Sequence, residues 1–158
     1  RSLLEACDVD LVLSWAHYNL VEDELSTELA PLCAARGIGL LSASPLLQGL
    51  LTRKGPPAWH RSPPEVLAIG PRIAALCDAE GLDVAQVAIR FAIDNPQIAS
   101  TVLGIGDEAQ LASTLAATTL QLPPGLLDRI HALAAPVKNR MWFEGRPENN
   151  LPRTSAKP

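Results

Sequence analysis

The sequence of 158 residues has few cysteines and no long hydrophobic run. Cys7, Cys33 and Cys77 lack any C-x-x-C spacing, which argues against a disulfide framework and predicts buried free thiols in a cytoplasmic protein. The most apolar stretch, residues 39–51, is interrupted by polar residues and a proline, so no membrane span is expected. The three histidines do not offer the spacing of metal ligands, so we also expect no metal site.

Basic residues are in short supply as well. Thirteen lysines and arginines face seventeen acidic residues, and the formal charge is −4. A protein that neutralises phosphates needs a basic face, so no nucleic-acid partner is expected. The sequence begins at Arg1 instead of Met, which suggests a piece of a longer protein, and it lacks the charged and apolar regions of a signal peptide. The length and the 47% hydrophobic content fit about one globular domain.

Short β-prone segments alternate with amphipathic helices along the chain. The predicted strands are residues 9–16, which are expected to be buried, 38–43 and 99–103. The predicted helices are residues 22–36, 71–80, 84–94, 108–117 and 124–134. Gly37 is placed to end the first helix, and Asp83 with Gln86 has the spacing of a capping box for the third. A proline-rich irregular stretch, residues 44–64, separates the second strand from the later helices.

This alternation predicts an α/β fold with a parallel sheet and right-handed crossovers. A parallel sheet of three strands that is buried on both faces would be unusually small, and its edges would be open. A complete (β/α)8 barrel needs about 250 residues. The three predicted strands therefore correspond to only part of a complete sheet.

Two segments that follow predicted strands are candidate binding loops. Residues 104–109 fit G-x-G-x-x-[GA] and open a helix, where glycines and free N–H groups can approach a phosphate. The ribose-binding acid expected about 20 residues later in a Rossmann site is missing, and Asp107 and Glu108 place negative charge at the loop. Two other interpretations of residues 104–109 stay open: a simple turn between a strand and a helix, and the phosphate site of a barrel. Residues 42–51, rich in small and hydroxyl side chains, are either a ligand loop or a proline-stiffened surface turn.

The motifs in these segments resemble those of the aldo-keto reductases. Residues 44–46 with 49–52 are similar to the S-P-L-x-x-G-L-L-T signature that follows strand seven of that family. Residues 85–91, A-Q-V-A-I-R-F, resemble its A-Q-V-A-L-R-W helix, and residues 18–20 resemble the Y-N-L that ends strand six. The resemblance extends over about residues 9–142.

A narrower resemblance rests on residues 42–46, 55–60 and 136–139 together with Trp142. These segments are similar to the branch of the family that oxidises aldoses such as L-galactose at C1 with NAD. The resemblance implies a fragment of an NAD(P)-dependent oxidoreductase, whose partners are a nicotinamide dinucleotide and a small sugar or carbonyl substrate.

The implied fold is the C-terminal half of a (β/α)8 TIM barrel, with three parallel strands corresponding to strands six to eight. Residues 1–143 would form this part of the barrel, and residues 144–158 an irregular, disordered tail. The family's Asp, Tyr, Lys and His constellation belongs to the missing N-terminal half, so we assign no catalytic residue and expect the chain alone to be inactive. The alternative is a truncated, non-catalytic relative that acts as a binding or interaction module through its exposed sheet edges.

The resemblance implies cofactor-binding roles for residues at both candidate loops. Those expected at the pyrophosphate are Ser44, Leu46 and Gln48, those at the ribose and its phosphate are Gly104, Ile105 and Gly106, and those at the adenine end are Gln110, Ser113 and Thr114. Gln110 stands where NADP-preferring members carry an arginine, which favours NAD over NADP.

Trp15 stands where many members carry a glutamine that binds the nicotinamide carboxamide, so an indole is expected at that pocket. His17, Trp59 and Trp142 are candidates for lining the substrate site. The alternatives are a hydrogen-bonded residue at a strand end for His17 and loop anchoring for the two tryptophans.

Overall fold

The three predicted strands form one parallel sheet in the computed structural model, which describes residues 4, 6–140 and 142. Strands β1 (Leu11–Trp15), β2 (Gly39–Ala43) and β3 (Ser100–Val102) are ordered β1-β2-β3. Register pairs such as Trp15 with Ala43 and Ala43 with Val102 align the carboxyl ends of the strands. The predicted three-stranded parallel α/β arrangement is confirmed, whereas the predicted tail at residues 144–158 lies outside the described residues.

The five predicted helices are present; the one at residues 108–117 has the predicted ends, and the other four have ends that are shifted. They are α1 (Ala30–Arg36), α3 (Ile69–Ala79), α4 (Val84–Ile93), α5 (Glu108–Ala117) and α6 (Leu126–Ala134). A π-helical turn, Leu25–Leu29, leads into α1, and a short helix α2 (Pro64–Leu67) precedes α3. Helix α3 begins before Pro71, because proline is tolerated in the first turn, where its missing N–H has no acceptor in the helix.

Two of the predicted helix caps are observed, and one predicted contact is wrong. Gly37 ends α1 in the left-handed conformation, with φ 67°, and Asp83 Oδ1 accepts a hydrogen bond from Ala85 N at 2.9 Å. Gln86 does not complete a capping box. Its Nε2 donates to the carbonyl oxygen and to Oγ of Ser113, at 3.3 and 3.2 Å, because α5 packs beside α4 and brings these acceptors within reach.

The helices cover one face of the sheet. Val12 and Leu40 lie on that face in a core with Cys33 of α1 and Ala92 of α4. The alternate residues of β1 point the other way and are exposed: Leu11 by 55%, Leu13 by 52% and Trp15 by 39%. The prediction that the first strand is buried is therefore wrong, since β1 is an edge strand with one uncovered face.

A second core lies beyond the carboxyl edge of the sheet, between the loop after β2 and helices α3 and α6. Leu47 and Leu51 of that loop are fully buried there against Ile73 and Ile130, so the stretch predicted as irregular supplies core residues.

The cysteines are free, as predicted, but they are not all buried. Burial raises the pKa of the Cys77 thiol to about 11 and also raises that of Cys33. Cys7 is exposed, so the prediction of a buried thiol is wrong at that position. Among the described residues, the structure contains no helix of sufficient length and hydrophobicity to span a membrane.

A close approach of α3 to the loop after β2 is testable at Gly70. A Cβ on this residue would lie 2.6 Å from Cδ1 and 2.7 Å from the carbonyl oxygen of Leu50. We expect Gly70→Ala to lower the free energy of unfolding by about 1–3 kcal/mol through overpacking, although alanine is favoured over glycine in helices by about 1 kcal/mol. Urea denaturation measures the change.

The control for this prediction is Ala75→Gly, at an exposed position of the same helix. It should lose about 1 kcal/mol from helix propensity alone. If Gly70→Ala were as stable as the parent, or more stable, the close approach of the two backbones would be disproved.

Candidate functional site

The backbone turns sharply where the strands end. Ala16, which follows β1, and Ser44, which follows β2, both have φ 63°, and Leu47 and Gln48 are left-handed too. Each such non-glycine residue costs about 1–3 kcal/mol, and backbone strain of this kind is concentrated at functional sites. The carboxyl edge of a parallel sheet is also where α/β proteins bind ligands. Both features favour a ligand site at this edge of the sheet.

A cavity of about 480 Å³ lies at this edge, between the loop after β2 and the beginning of α5. We call it the edge cleft, together with an adjoining cavity of about 180 Å³ that shares several of its lining residues. Seven of the ten predicted cofactor residues line the edge cleft: Ser44, Leu46, Gln48, Gly104, Gln110, Ser113 and Thr114. The structure thus brings residues from two distant segments to one site.

The other three predicted cofactor residues lie near the edge cleft without lining it. Ile105, which is 45% exposed, and Gly106 directly follow Gly104 in the loop between β3 and α5. Trp15 is the last residue of β1, which is separated from β3 by the central strand β2.

Gly104 leaves space for a ligand. A Cβ on this residue would have no heavy atom within 4 Å, and its φ lies outside the left-handed region, so the backbone conformation does not require glycine. Because Gly104 lines both cavities, a dinucleotide could approach its backbone closely. The local shape therefore fits a bound cofactor.

Asp107 and Gln110 form a hydrogen-bonded clamp at the start of α5. Asp107 Oδ1 accepts from Gln110 N at 2.8 Å, and Asp107 Oδ2 accepts from Gln110 Nε2 at 3.1 Å. Gln110 Oε1 in turn accepts from Gly106 N at 3.0 Å. The amide is held in place by the protein itself, with an aspartate beside it.

Two basic residues that the sequence reasoning missed, Arg53 and Lys54, line the edge cleft. Arg53 is oriented by two carboxylates: its Nη2 lies 2.5 Å from Asp78 Oδ1, and its Nε donates to Asp83 Oδ2 at 2.9 Å. The matched signature stops at Thr52, immediately before them. The sequence feature that could have identified them is a pair of basic residues directly before the Gly55-Pro56-Pro57 turn.

Aromatic side chains meet at the end of β1. The ring centroids of Trp15 and Trp142 are 6.0 Å apart at an interplanar angle of 83°, and Trp142 contacts His60 edge-on at 5.4 Å. His60 is buried; its Nδ1 accepts from Ser62 N at 3.2 Å, so its Nε2 carries the proton and donates to Leu47 O at 3.0 Å. Of the predicted substrate-lining tryptophans, Trp142 joins this group, whereas Trp59 is 67% exposed.

The segment before Trp142 is clamped to the loop after β1. Lys138 Nζ lies 2.5 Å from Asp23 Oδ2, and Asn139 Nδ2 donates to Asp23 Oδ1 at 3.1 Å. Asn139 N also donates to Val21 O at 3.0 Å. Burial by itself would raise the pKa of Asp23, but the hydrogen bonds from Lys138 and Asn139 outweigh it and the pKa is lowered.

The third predicted substrate residue, His17, lies in a different cavity from the edge cleft. Its ring is half-exposed, and its Nδ1 lies 3.9 Å from Oε1 of the buried Glu22. Glu24 is close to both. The expectation of no metal site considered only cysteines and histidines, and so it overlooked carboxylates that the turn after β1 brings to His17.

The fold and the edge cleft define an α/β protein with a cleft at the carboxyl ends of its parallel strands. Residues 1–135 match the model of the aldo/keto reductase family, and the chain belongs to that family. The resemblance inferred from the motifs is therefore confirmed.

Three curated relatives are dehydrogenases. The chain is 34% identical to L-galactose dehydrogenase of Arabidopsis thaliana, over 89% of this chain and 45% of that protein. It is 31% identical to D-threo-aldose 1-dehydrogenase of a Pseudomonas species, over 80% of this chain and 40% of the relative. It is 27% identical to pyridoxal 4-dehydrogenase of Microbacterium luteolum, over 70% and 34%. The chain spans less than half the length of each of these relatives.

The clamp on Asp23 predicts a pH effect on stability. Because the pKa of Asp23 is lowered in the folded protein, its stabilisation is present above the unfolded-state pKa and is lost as the pH falls through the folded value. We expect Asp23→Asn to lower the free energy of unfolding at pH 7 by about 1 kcal/mol, a partly exposed pair being screened by solvent. The difference from the parent should shrink below about pH 5.

Urea denaturation at several pH values measures this dependence. Asp10→Asn, at an exposed aspartate before β1, controls for the loss of one negative charge. A loss of stability in Asp23→Asn that stayed constant from pH 7 down to pH 3 would show that the clamp does not depend on the carboxylate.

Proposed function

We propose that the chain is the C-terminal half of a (β/α)8 barrel oxidoreductase and that it holds the binding site for NAD. The observation that carries this proposal is the edge cleft, which gathers seven predicted cofactor residues from two loops. A bound nicotinamide would supply the hydride acceptor or donor. The residues of this chain would bind and orient the cofactor.

The uncovered face of the sheet supports the half-barrel. Parallel sheets are normally covered on both faces, yet Leu11, Leu13 and Val102 expose about half of their surface on the same face. Strands β1 and β3 are also the two edges of the described sheet. An N-terminal half carrying the remaining strands would pair with both edges and cover the apolar face.

The polar groups of the edge cleft suit a dinucleotide. Lys54 places positive charge at the cleft, where a pyrophosphate needs it, whereas the charge of Arg53 is already balanced by Asp78 and Asp83. Gly104 lets the phosphates approach the backbone. Ser113 Oγ accepts a hydrogen bond from Gln86, which fixes that hydroxyl on the side of α5 that lines the cleft. The adenosine end of the cofactor would lie along the beginning of α5.

The proposed preference for NAD over NADP follows from the clamp at α5. A 2′-phosphate there would meet the carboxylates of Asp107 and Glu108 instead of a cationic side chain, and the amide of Gln110 is already bonded to Asp107. The hydroxyl of NAD brings no added charge to this position. Charge repulsion thus disfavours the phosphorylated cofactor.

The adenosine site can be tested on the chain by itself with two fragments of the cofactors. Gln110→Arg is expected to raise the affinity for adenosine 2′,5′-bisphosphate relative to adenosine 5′-diphosphate by about 10- to 100-fold, since a charge-assisted contact contributes about 1.5–3 kcal/mol. Calorimetric titration gives the ratio of the two dissociation constants for the parent and the variant.

Gln121→Arg adds the same charge at an exposed residue that does not line the edge cleft, and it should leave that ratio within about twofold. If Gln110→Arg changed the ratio no more than Gln121→Arg does, Gln110 would not face the ribose 2′ position.

The nicotinamide end would lie at Trp15. This residue is 39% exposed at the carboxyl end of β1, and the Trp142 ring contacts its ring edge-on. An indole face offers a flat apolar surface to nicotinamide or to a sugar ring. Together with the dehydrogenases that this chain resembles, this arrangement supports oxidation of an aldose at C1, with L-galactose as the leading substrate.

The described residues do not assemble an acid–base group for this reaction. Tyr18 is the chain's single tyrosine and stacks on Phe91 at 5.0 Å. Burial raises its pKa, and although a hydrogen bond with Asn95 opposes that effect, the pKa remains raised. Such a tyrosine is a poor proton relay, and we propose that the relay belongs to the N-terminal half.

The chain alone is therefore expected to be inactive. Purified protein mixed with L-galactose and NAD should form no NADH above a protein-free blank, as measured by absorbance. A complete L-galactose dehydrogenase run in parallel is the positive control. Turnover by the 158-residue chain that survives repurification would mean that it contains its own catalytic group.

A second candidate function rests on the same uncovered sheet face. A non-catalytic relative could use the apolar residues of β1 and the two open strand edges to bind another protein chain. The coding sequence upstream of Arg1 distinguishes the two proposals: strands carrying Asp, Tyr, Lys and His favour the enzyme, and an unrelated domain favours the module.

For either function we propose a cytoplasmic location, since the cysteines of the described chain are free.

A further inference from the structure

A cluster of metal-ligating side chains lies in the turn after β1, apart from the edge cleft. One ligand atom each of His17, Glu22 and Glu24 lies within 4.8 Å of the other two. His17 and Glu24 also line a cavity of about 180 Å³ that shares no residue with the edge cleft.

Glu22 is the unusual member of this cluster. The residue is fully buried, and neither carboxylate oxygen receives a hydrogen bond from the described part of the chain. The nearest group of potential positive charge, His17 Nδ1, lies 3.9 Å away, beyond hydrogen-bond range. A buried carboxylate without a partner is costly, so its position calls for a cation.

The backbone holds the Glu22 side chain in this place. Glu22 and Asn19 exchange two backbone hydrogen bonds, at 2.7 and 3.2 Å. Asn19 is fixed in turn, since its Nδ2 donates to Ala16 O and its Oδ1 accepts from Val21 N, both at 3.0 Å. These four hydrogen bonds fix the backbone from which the buried Glu22 side chain projects.

We propose that His17, Glu22 and Glu24 bind one divalent transition-metal ion, with Zn²⁺ as the best fit. An imidazole nitrogen with two carboxylate oxygens is a borderline donor set that suits Zn²⁺ better than Mg²⁺ or Ca²⁺, which prefer all-oxygen sites. Zinc takes these ligands at about 2.0–2.2 Å, so the ligand atoms of a tetrahedral site lie about 3.4 Å apart.

Only a small adjustment is needed to reach that geometry between His17 and Glu22. Closing the 3.9 Å separation takes about half an ångström, and the half-exposed His17 ring is free of the constraints that hold Glu22. The neighbouring cavity supplies an entry path and room for water as the remaining ligand. Glu28 lines the same cavity and adds to its negative charge, which attracts a cation.

The site would do more than neutralise Glu22. It would join the end of β1, which carries Trp15, to the start of the π-helical turn at Leu25–Leu29. A bound ion would thereby stiffen the loop to which Lys138 and Asn139 attach.

The test is a calorimetric titration of the purified, chelator-treated chain with ZnCl₂. We expect one equivalent of Zn²⁺ to bind, and at about 100-fold excess over the Kd the Tm should rise by about 5–10 °C. Glu22→Gln and His17→Ala should each weaken binding by at least about tenfold. Glu65→Gln, an acidic position on α2, and Cys7→Ser, which removes the exposed thiol, are the controls and should bind as the parent does.

Glu22→Gln has a second expected effect, on the protein without metal. It removes a buried charge that has no partner, so its Tm without Zn²⁺ should equal or exceed that of the parent. If this variant failed to fold, His17→Ala would decide, because the His17 side chain is half-exposed.

The proposal is overturned if Zn²⁺ shows no saturable binding, or if binding persists unchanged in both site variants. Loss of binding in Cys7→Ser would also overturn it, because the metal would then sit on the thiol.

Discussion

The central strand β2 is the constraint on which the site depends. It hydrogen-bonds to both neighbours in parallel, so that Trp15, Ala43 and Val102 end their strands side by side. The chain must then leave the sheet at one edge within a residue or two. The left-handed conformations of Ala16 and Ser44 accomplish this, and they direct the following loops into the space above the sheet. The strand pairing, the backbone strain and the cleft thus all follow from one requirement, that the chain leaves the sheet at a common edge.

The sheet also bears on the proposal that binding and catalysis reside in different parts of a larger protein. Helices cover one face, on which Val12 and Leu40 are packed, and leave Leu11 and Leu13 in contact with water. Fully burying one such side chain contributes about 1.5–3 kcal/mol, so the open face has a strong tendency to be covered. A covering layer of further strands would bring its own carboxyl ends to the same edge, opposite the cleft. Catalytic groups supplied from there would face the proposed nicotinamide position at Trp15.

Local features were predictable from the sequence, and contacts between distant segments were not. Gly37 and Asp83 act within one turn of their helix, so pattern alone located both caps. Gln86 had the right spacing for a cap as well, yet a neighbouring helix supplied better acceptors at Ser113. The burial of a strand depends on what covers it, which periodicity does not contain, and so the exposure of β1 was missed.

The same division holds at the site. Motif resemblance located the residues of the edge cleft, because they lie inside short ordered signatures next to strand ends. It missed Arg53 and Lys54, the two residues that directly follow a signature. It also missed the carboxylate of Glu22, whose isolation from hydrogen-bond donors is visible only in three dimensions. It also ranked Trp59 beside Trp142, although they differ in that only Trp142 is seated against Trp15 and His60.

Charge is distributed unevenly along the edge cleft, and this asymmetry bears on how a dinucleotide would lie in it. Lys54 lies on the loop after β2, beside an Arg53 whose charge is balanced by two aspartates, whereas Asp107 and Glu108 lie at the start of α5. A pyrophosphate is stabilised at the first end and repelled from the second, so a cofactor with one charged centre would bind in one orientation. That orientation points the uncharged ribose at α5 and the nicotinamide towards β1. The charges that set the proposed cofactor preference would therefore also set the direction of binding.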